Sequence, residues 1–231
     1  MQYQKVIKGK FIERPNRFIA KVLINNIIET VHVKNTGRCR ELLVPNATVY
    51  LSDEVKPERK TRYDLIVVEK LPASGDRILI NMDSQAPNKV AEEFFSSGKF
   101  FSSFAVVRRE VRFQNSRFDF YIEDGDRKVF VEVKGVTLED ERIALFPDAP
   151  TERGVKHINE LVLAKKEGYE AMVFFVIQMK GIKSFSPNDK THPQFGDALR
   201  KADKEGVKII AYDCHVKKDT LEIADPVITK L

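Results

Sequence analysis

Arg117-Phe118-Asp119-Phe120-Tyr121-Ile122-Glu123-Asp124-Gly125-Asp126-Arg127-Lys128-Val129-Phe130-Val131-Glu132-Val133-Lys134 is the stretch whose reading decides the fold. Two β-rich runs flank a Glu-Asp-Gly-Asp turn signal, so a hairpin is predicted over 117–134. A loop of two or four residues that pairs Ile122 with Arg127 sets Phe120 against Val129 and Phe118 against Val131, collecting these apolar pairs on one face. The opposite face then carries Asp119, Glu132 and Lys134. In this register Asp119 and Glu132 are diagonal cross-strand neighbours, about 7–8 Å apart at Cα. Two carboxylates so placed suit one hard cation, Mg2+ or Mn2+. Such an ion polarises a phosphate and acidifies a bound water, while Lys134 is positioned to orient that water or to stabilise charge on phosphorus. The competing reading of the same residues is a solvated sheet face bearing a Glu–Lys pair.

Outward from the hairpin, the pattern is that of a helix-flanked sheet. A short helix is expected over 88–97, with Val90, Phe94 and Phe95 on one side and Gly98 as its stop. A strand over 104–113 precedes the hairpin. A second helix over 151–167 buries Val155, Ile158, Leu161 and Val162 and ends before Gly168. The apolar run 171–179 reads as a strand buried on both faces. A third helix near 194–205 and a last strand over 207–212 complete an α-β-β-β-α-β-α-β order, a mixed sheet flanked by helices.

The residues before position 86 behave differently. Runs 17–25, 27–34, 47–52, 64–71 and 77–82 are strand-like, the first two joined by an Asn25-Asn26 turn, and the Pro57-containing stretch 54–62 is a loop. Several short strands in this length predict a small OB-like barrel. The domain division expected is therefore 1–85 for the barrel and 86–231 for the α/β unit.

Charge supports that division. The 231-residue chain is 42% hydrophobic and 32% charged, with a net charge of +5. Residues 1–85 hold 15 Lys/Arg against 10 Asp/Glu, and the remainder holds 24 of each, so the whole excess lies in the first part. A basic module beside a neutral one points to a polyanionic partner, DNA above all. Lys8, Lys10, Arg14, Arg17, Lys34, Arg38 and Arg40 crowd two segments with Phe11 and Phe18 among them. Phe18 alternates with apolar neighbours as a core residue would, which leaves Phe11 as the expected stacking platform. No apolar run approaches the length of a membrane span. Cys39 and Cys214 stand far apart in no metal-ligand spacing, which points to a reducing cytoplasm.

Asp119 with Glu132-Val133-Lys134, on a hairpin after a helix and a strand, resembles the PD-(D/E)XK nuclease superfamily. Longer runs resemble one family more specifically, that of sugar fermentation stimulation protein A. They are Asn35-Thr36-Gly37-Arg38, Asn115-Ser116-Arg117-Phe118-Asp119-Phe120, Glu132-Val133-Lys134, Phe146-Pro147-Asp148-Ala149 and Glu152-Arg153-Gly154-Val155-Lys156-His157. The resemblance implies an N-terminal OB-like domain, a restriction-endonuclease-like C-terminal domain and DNA binding. Asp119 and Glu132 are then the expected metal ligands. Glu110, Arg153 and His157 join Asp119, Glu132 and Lys134 as catalytic candidates, and Phe11, Arg14, Arg17, Lys34, Arg38 and Arg117 are the nucleic-acid-binding candidates. Glu93, Glu139 and Asp148 are further acids that could flank the site. Two functions follow: a metal-dependent nuclease, or a nonspecific DNA-binding regulator of sugar (maltose) metabolism that keeps the fold without turnover.

Overall fold

The computed structural model describes residues 1–35, 37–54, 59–71 and 76–231. Thr36 of the Asn-Thr-Gly-Arg run and the Pro57 loop lie outside them. The first unit contains β1 (Val6–Asn16), β2 (Ile19–Ile24), β3 (Ile27–Val33), β4 (Thr48–Asp53), β5 (Tyr63–Lys70) and β6 (Ile78–Asn81). Asn25 and Asn26 both take positive φ (48° and 65°), which is the conformation a two-residue turn needs to join right-twisted strands; Asn tolerates it well. β2 and β3 consequently pair from Ile24↔Ile27 outward. The sheet runs β3-β2-β1-β4-β5-β6 and closes where β3 meets β5 at His32↔Asp64 and Val33↔Leu65. The result is a five-stranded OB barrel filled by Phe11, Val22, Val31, Val49, Leu51 and Leu65. Gly9 is required in its wall, since a Cβ there would lie 2.5 Å from Val22 Cγ1.

The second unit is a mixed nine-stranded α/β sheet. It is built from α1 (Ala86–Phe95), β7 (Val106–Phe113), β8 (Ser116–Asp124), β9 (Arg127–Val136), β10 (Leu138–Asp140), β11 (Ile143–Phe146), α2 (Glu152–Lys166), β12 (Glu170–Ile177), β13 (Ser184–Pro187), α3 (Pro193–Lys204), β14 (Lys208–Val216) and β15 (Leu221–Thr229). Strand order is β10-β11-β13-β15-β14-β12-β9-β8-β7. Val90 and Phe95 of α1 pack on one face with Val131, Val133 and Phe174, whereas Ile158 and Leu161 of α2 and Phe195 of α3 pack on the other with Phe130 and Phe175. β12, parallel between β9 and β14, is buried on both sides because α1 covers one face of the sheet and α2 and α3 the other. α2 begins where Thr151 Oγ1 accepts the Gly154 N–H and ends before Gly168, whose φ is 93°.

Buried polar bonds join the two units. Gln178 Nε2 donates to Asn81 O, Asn81 Oδ1 and Asp83 O at 2.9–3.1 Å, and Asn81 N donates back to Gln178 O.

Three expectations need correction. β1 is a long strand that the run 17–25 does not include. β10, β11, β13 and β15 add strands to the second sheet. The hairpin pairs Asp124↔Arg127, Ile122↔Val129 and Phe120↔Val131, two residues away from the expected register, because its turn is only Gly125-Asp126 with Gly125 at φ 63°.

Candidate metal centre

The strand alternation breaks at Asp119, and this break builds the site. Phe120 and Ile122 pack on the α1 side, but Phe118 packs on the α2 side, against Phe130 and the edge of His157. The expected single face for Phe118 and Phe120 is therefore wrong. On β7 the same reversal separates Val107 from Val111, and Glu110 between them takes φ 53°, a conformation that costs a non-glycine residue energy. The β8–β9 ladder stops at Phe120↔Val131. Beyond it Asp119 Oδ2 accepts the Val133 N–H at 2.8 Å, and Asp119 Oδ1 accepts Asn88 Nδ2 of α1 at 2.7 Å. Asp119 is thus fixed by a strand on one side and a helix on the other.

Glu132 is 3% exposed. Its Oε1 accepts Lys134 Nζ at 2.5 Å and lies 2.5 Å from His157 Nδ1. Arg153 Nε donates to His157 Nε2 at 3.4 Å, which makes Nε2 the acceptor and leaves the ring proton on Nδ1, where it is given to Glu132. Glu132 Oε2, by contrast, is buried and has no hydrogen-bond partner. Such an atom bears a desolvation cost that a partner would remove. Burial alone would raise the Glu132 carboxyl, but the hydrogen bond from His157 and the charge and hydrogen bond of Lys134 hold it below its ordinary value. Burial, followed by the charge of Glu132, pushes the Asp119 carboxyl up. The pair is therefore an electrostatically unfavourable couple with an unfilled oxygen, and a hard cation would relieve both. Among the described residues no third His, Cys, Asp or Glu completes a cluster. The two carboxylates fit an ion whose other ligands are water and substrate oxygens, as Mg2+ and Mn2+ permit.

The remaining candidates divide. Arg153 and His157 join the centre through Glu132. Glu110 lies opposite Asp119 on β7, yet its exposed carboxylate is turned to Arg117, 3.4 Å away. Glu93 binds the Met1 amine, Glu139 binds Lys70, and Asp148 accepts the Arg38 N–H, so none of the three carboxylates is without a partner. In the barrel, Phe11 is 2% exposed and belongs to the core, which rules out its expected stacking role; Phe18 is 44% exposed and takes the position expected for Phe11. Arg14 gives its guanidinium to the carbonyls of Arg17, Asn35, Gly37 and Arg38, and Lys34 is held between Asp64 and Asp83. Both are internal fasteners, contrary to the expectation of phosphate contacts. Arg17, Arg38 and Arg117 are exposed. The sequence reading missed Asn88, which no motif marks and whose only signal is its place in the first turns of α1. It also missed Gly135, where a Cβ would lie 2.5 Å from Pro87 Cγ and 2.6 Å from Gln178 Oε1.

Residues 12–80 match the SfsA N-terminal OB domain, and residues 85–220 match the sugar fermentation stimulation protein RE domain. The chain belongs to the sugar fermentation stimulation protein family. Family members similar to it include the sugar fermentation stimulation protein homolog of Desulfitobacterium hafniense (strain Y51), 59% identical over 100% of this chain and 99% of that one. The homolog of Ruminiclostridium cellulolyticum is 53% identical over the full length of both. Among solved structures, that of Pyrococcus furiosus SfsA in complex with Ca2+ superposes with a TM-score of 0.85 at 27% identity, covering 100% of this chain and 98% of the other. Among the described residues no helix is long and apolar enough to cross a membrane.

Proposed function

We propose that this chain is a divalent-metal-dependent nuclease that hydrolyses phosphodiester bonds in DNA, with Asp119 and Glu132 as the metal ligands. The observation that carries this reading is Glu132 Oε2, a buried oxygen without a partner near a second, half-buried carboxylate, Asp119. The complex of the Pyrococcus protein with Ca2+ supports a hard cation with oxygen ligands. A Mg2+ or Mn2+ ion bound there would polarise the scissile phosphate and acidify the attacking water.

The protein groups do the rest. Asn88 and the Val133 N–H hold Asp119 in one orientation. His157, steadied by Arg153, occupies Glu132 Oε1 and so presents Oε2. An ammonium has three donors, and Lys134 uses one on Glu132. The others can orient a water or meet charge developing on phosphorus. Arg153 is exposed at the start of α2 and suits a phosphate oxygen of the substrate. The free, buried thiols of Cys39 and Cys214 are consistent with a cytoplasmic setting.

The two-carboxylate ligand set also favours a second reading, a DNA-binding protein without turnover, because so few protein ligands hold a metal weakly. Incubation of the purified chain with single-stranded, duplex and branched DNA and with RNA separates the two. The nuclease reading requires product with Mn2+ or Mg2+, none with chelator, and none from Glu132→Gln. Tight binding of DNA with no product from any substrate, with metal or without, would decide for the second reading.

A further inference from the structure

We propose that the cleft between the β1–β2 turn and the segment 37–43 binds single-stranded nucleic acid, with Arg17, Arg38 and Arg40 on its phosphates and Phe18 under a base. This deepens the nuclease reading by naming the form of its substrate, and it rests on that reading only for its purpose. The cleft measures about 310 Å3 and is lined by Arg14, Asn16, Arg17, Gly37, Arg38 and Arg40, with Leu43 at its edge. No carboxylate is among these residues. Several other surface arginines are neutralised, Arg108 by Glu123, Arg109 by Glu92, Arg117 by Glu110 and Arg127 by Glu170, whereas Arg112, on β7, and Arg153, on α2, have no ion pair among the described residues. Arg17, Arg38 and Arg40 are exposed and make no such ion pair among the described residues, the nearby Asp148 carboxylate being turned to the backbone N–H of Arg38, so their guanidinium groups are available to an anion.

The cleft is also built in advance. The Arg14 guanidinium binds the carbonyl oxygens of Arg17 and Asn35 at 2.6 Å and those of Gly37 and Arg38 at 2.9 Å, fastening both walls to one group. Gly37 is necessary to this closure, since a Cβ there would meet Asp148 Oδ2 at 2.1 Å. Walls set before binding lower the ordering cost of a ligand. Phe18, next to Arg17 in the β1–β2 turn and outside the residues that line the cleft, supplies a second element of different chemistry. Its ring is 44% exposed and lies 4.7 Å from the Arg17 guanidinium carbon, so one face of a stack is already assembled. Cations alone would accept any polyanion, but an aromatic beside them selects bases, and only unpaired bases offer an open face.

The cleft's position connects it to the metal centre. Arg38 N donates to Asp148 Oδ2 at 3.2 Å, and Asp148 precedes α2, whose first turns carry Arg153 and His157. A strand seated in the cleft would thus lie beside the segment that leads into α2.

The test is fluorescence anisotropy on the full chain in chelator, where cleavage plays no part, using labelled oligothymidine and its duplex with oligodeoxyadenosine. The triple variant Arg17→Ala/Arg38→Ala/Arg40→Ala should lose about tenfold or more in single-strand affinity. Its plot of log K against log salt should be shallower by about 0.7 for each phosphate no longer bound. Phe18→Ala should lose about tenfold on the single strand, the scale of one base–aromatic stack, with an unchanged salt slope and little loss on the duplex. Both variants change exposed side chains, so wild-type melting temperatures should accompany the losses. A triple variant that binds as wild type overturns the proposal, as does a Phe18→Ala loss equal on both ligands. Polyglutamate competing as well as oligothymidine would also overturn it. These outcomes are independent of whether product forms with metal, so failure of the cleft and failure of the nuclease reading are told apart.

Discussion

At the residue scale the site is a division of labour within one carboxylate. Glu132 Oε1 is taken up by Lys134 and His157, and Oε2 is left without a partner. Lys134 therefore tests chemistry apart from binding. In Lys134→Ala, Asp119 and Glu132 remain, so metal affinity should stay near wild type. Cleavage under single-turnover conditions should fall by about 100-fold or more, the scale of losing one electrostatic stabiliser. Equal loss of metal affinity and rate would make Lys134 a prop for Glu132 only. The grouping of Asp119, Glu132 and Lys134 was legible because Glu132 and Lys134 share strand parity on β9 and a two-residue register error still leaves Asp119 across from that end of the strand. Phe11 and Phe18 were not. β1 carries irregularities between Phe11 and Glu13 and between Glu13 and Asn16, so parity counted across them is lost, and Phe11 turns inward while Phe18 lies in the turn. Arg14 was illegible for a different reason: three of its four carbonyl partners are 21 or more residues away.

At the element scale the hairpin β8–β9 determines the geometry. The sequence marked its turn but not its length. With two residues in the turn, the register extended one step past the ladder's end puts Asp119 opposite Glu132 rather than diagonal to it. The reversal at Asp119 and Glu110 left no trace in the hydrophobic pattern, because residues on both faces of β8 are apolar. Pro226 similarly obscured β15, where it is tolerated opposite Tyr212 beside a register shift. The starts of three neighbouring strands are clamped by Glu170 on β12, which binds Arg127 on β9 and Lys208 on β14. The Arg127 hydrogen bond, first among the causes, brings the Glu170 carboxyl from 4.5 down to about 2. A carboxyl lowered on folding stabilises the native state above its unfolded value and loses that contribution as pH falls through the folded one. Glu170→Gln should therefore unfold at lower urea than wild type at pH 7, with the gap closing between about pH 4.5 and about pH 2. A gap independent of pH would mean that packing, not charge, is lost.

At the scale of the whole molecule, two units share one polar seam. The barrel and the α/β sheet were separable in the sequence because strand-length patterning gives way to helix periodicity near Pro87 and the charge excess ends there. The seam was not, since the Gln178 contacts to Asn81 and Asp83 join residues 95 or more apart. Gln178 and Pro87 crowd Gly135, the residue after Lys134, so the barrel's attachment is built against the end of β9. The arrangement has a purpose only if the centre binds a cation, and Mn2+ binding followed by electron paramagnetic resonance tests that most directly. The wild-type chain should remove one Mn2+ per molecule from the free-ion signal, while Asp119→Asn and Glu132→Gln should each leave that signal as in buffer. Equal uptake by all three proteins, or none by the wild type, would contradict the account.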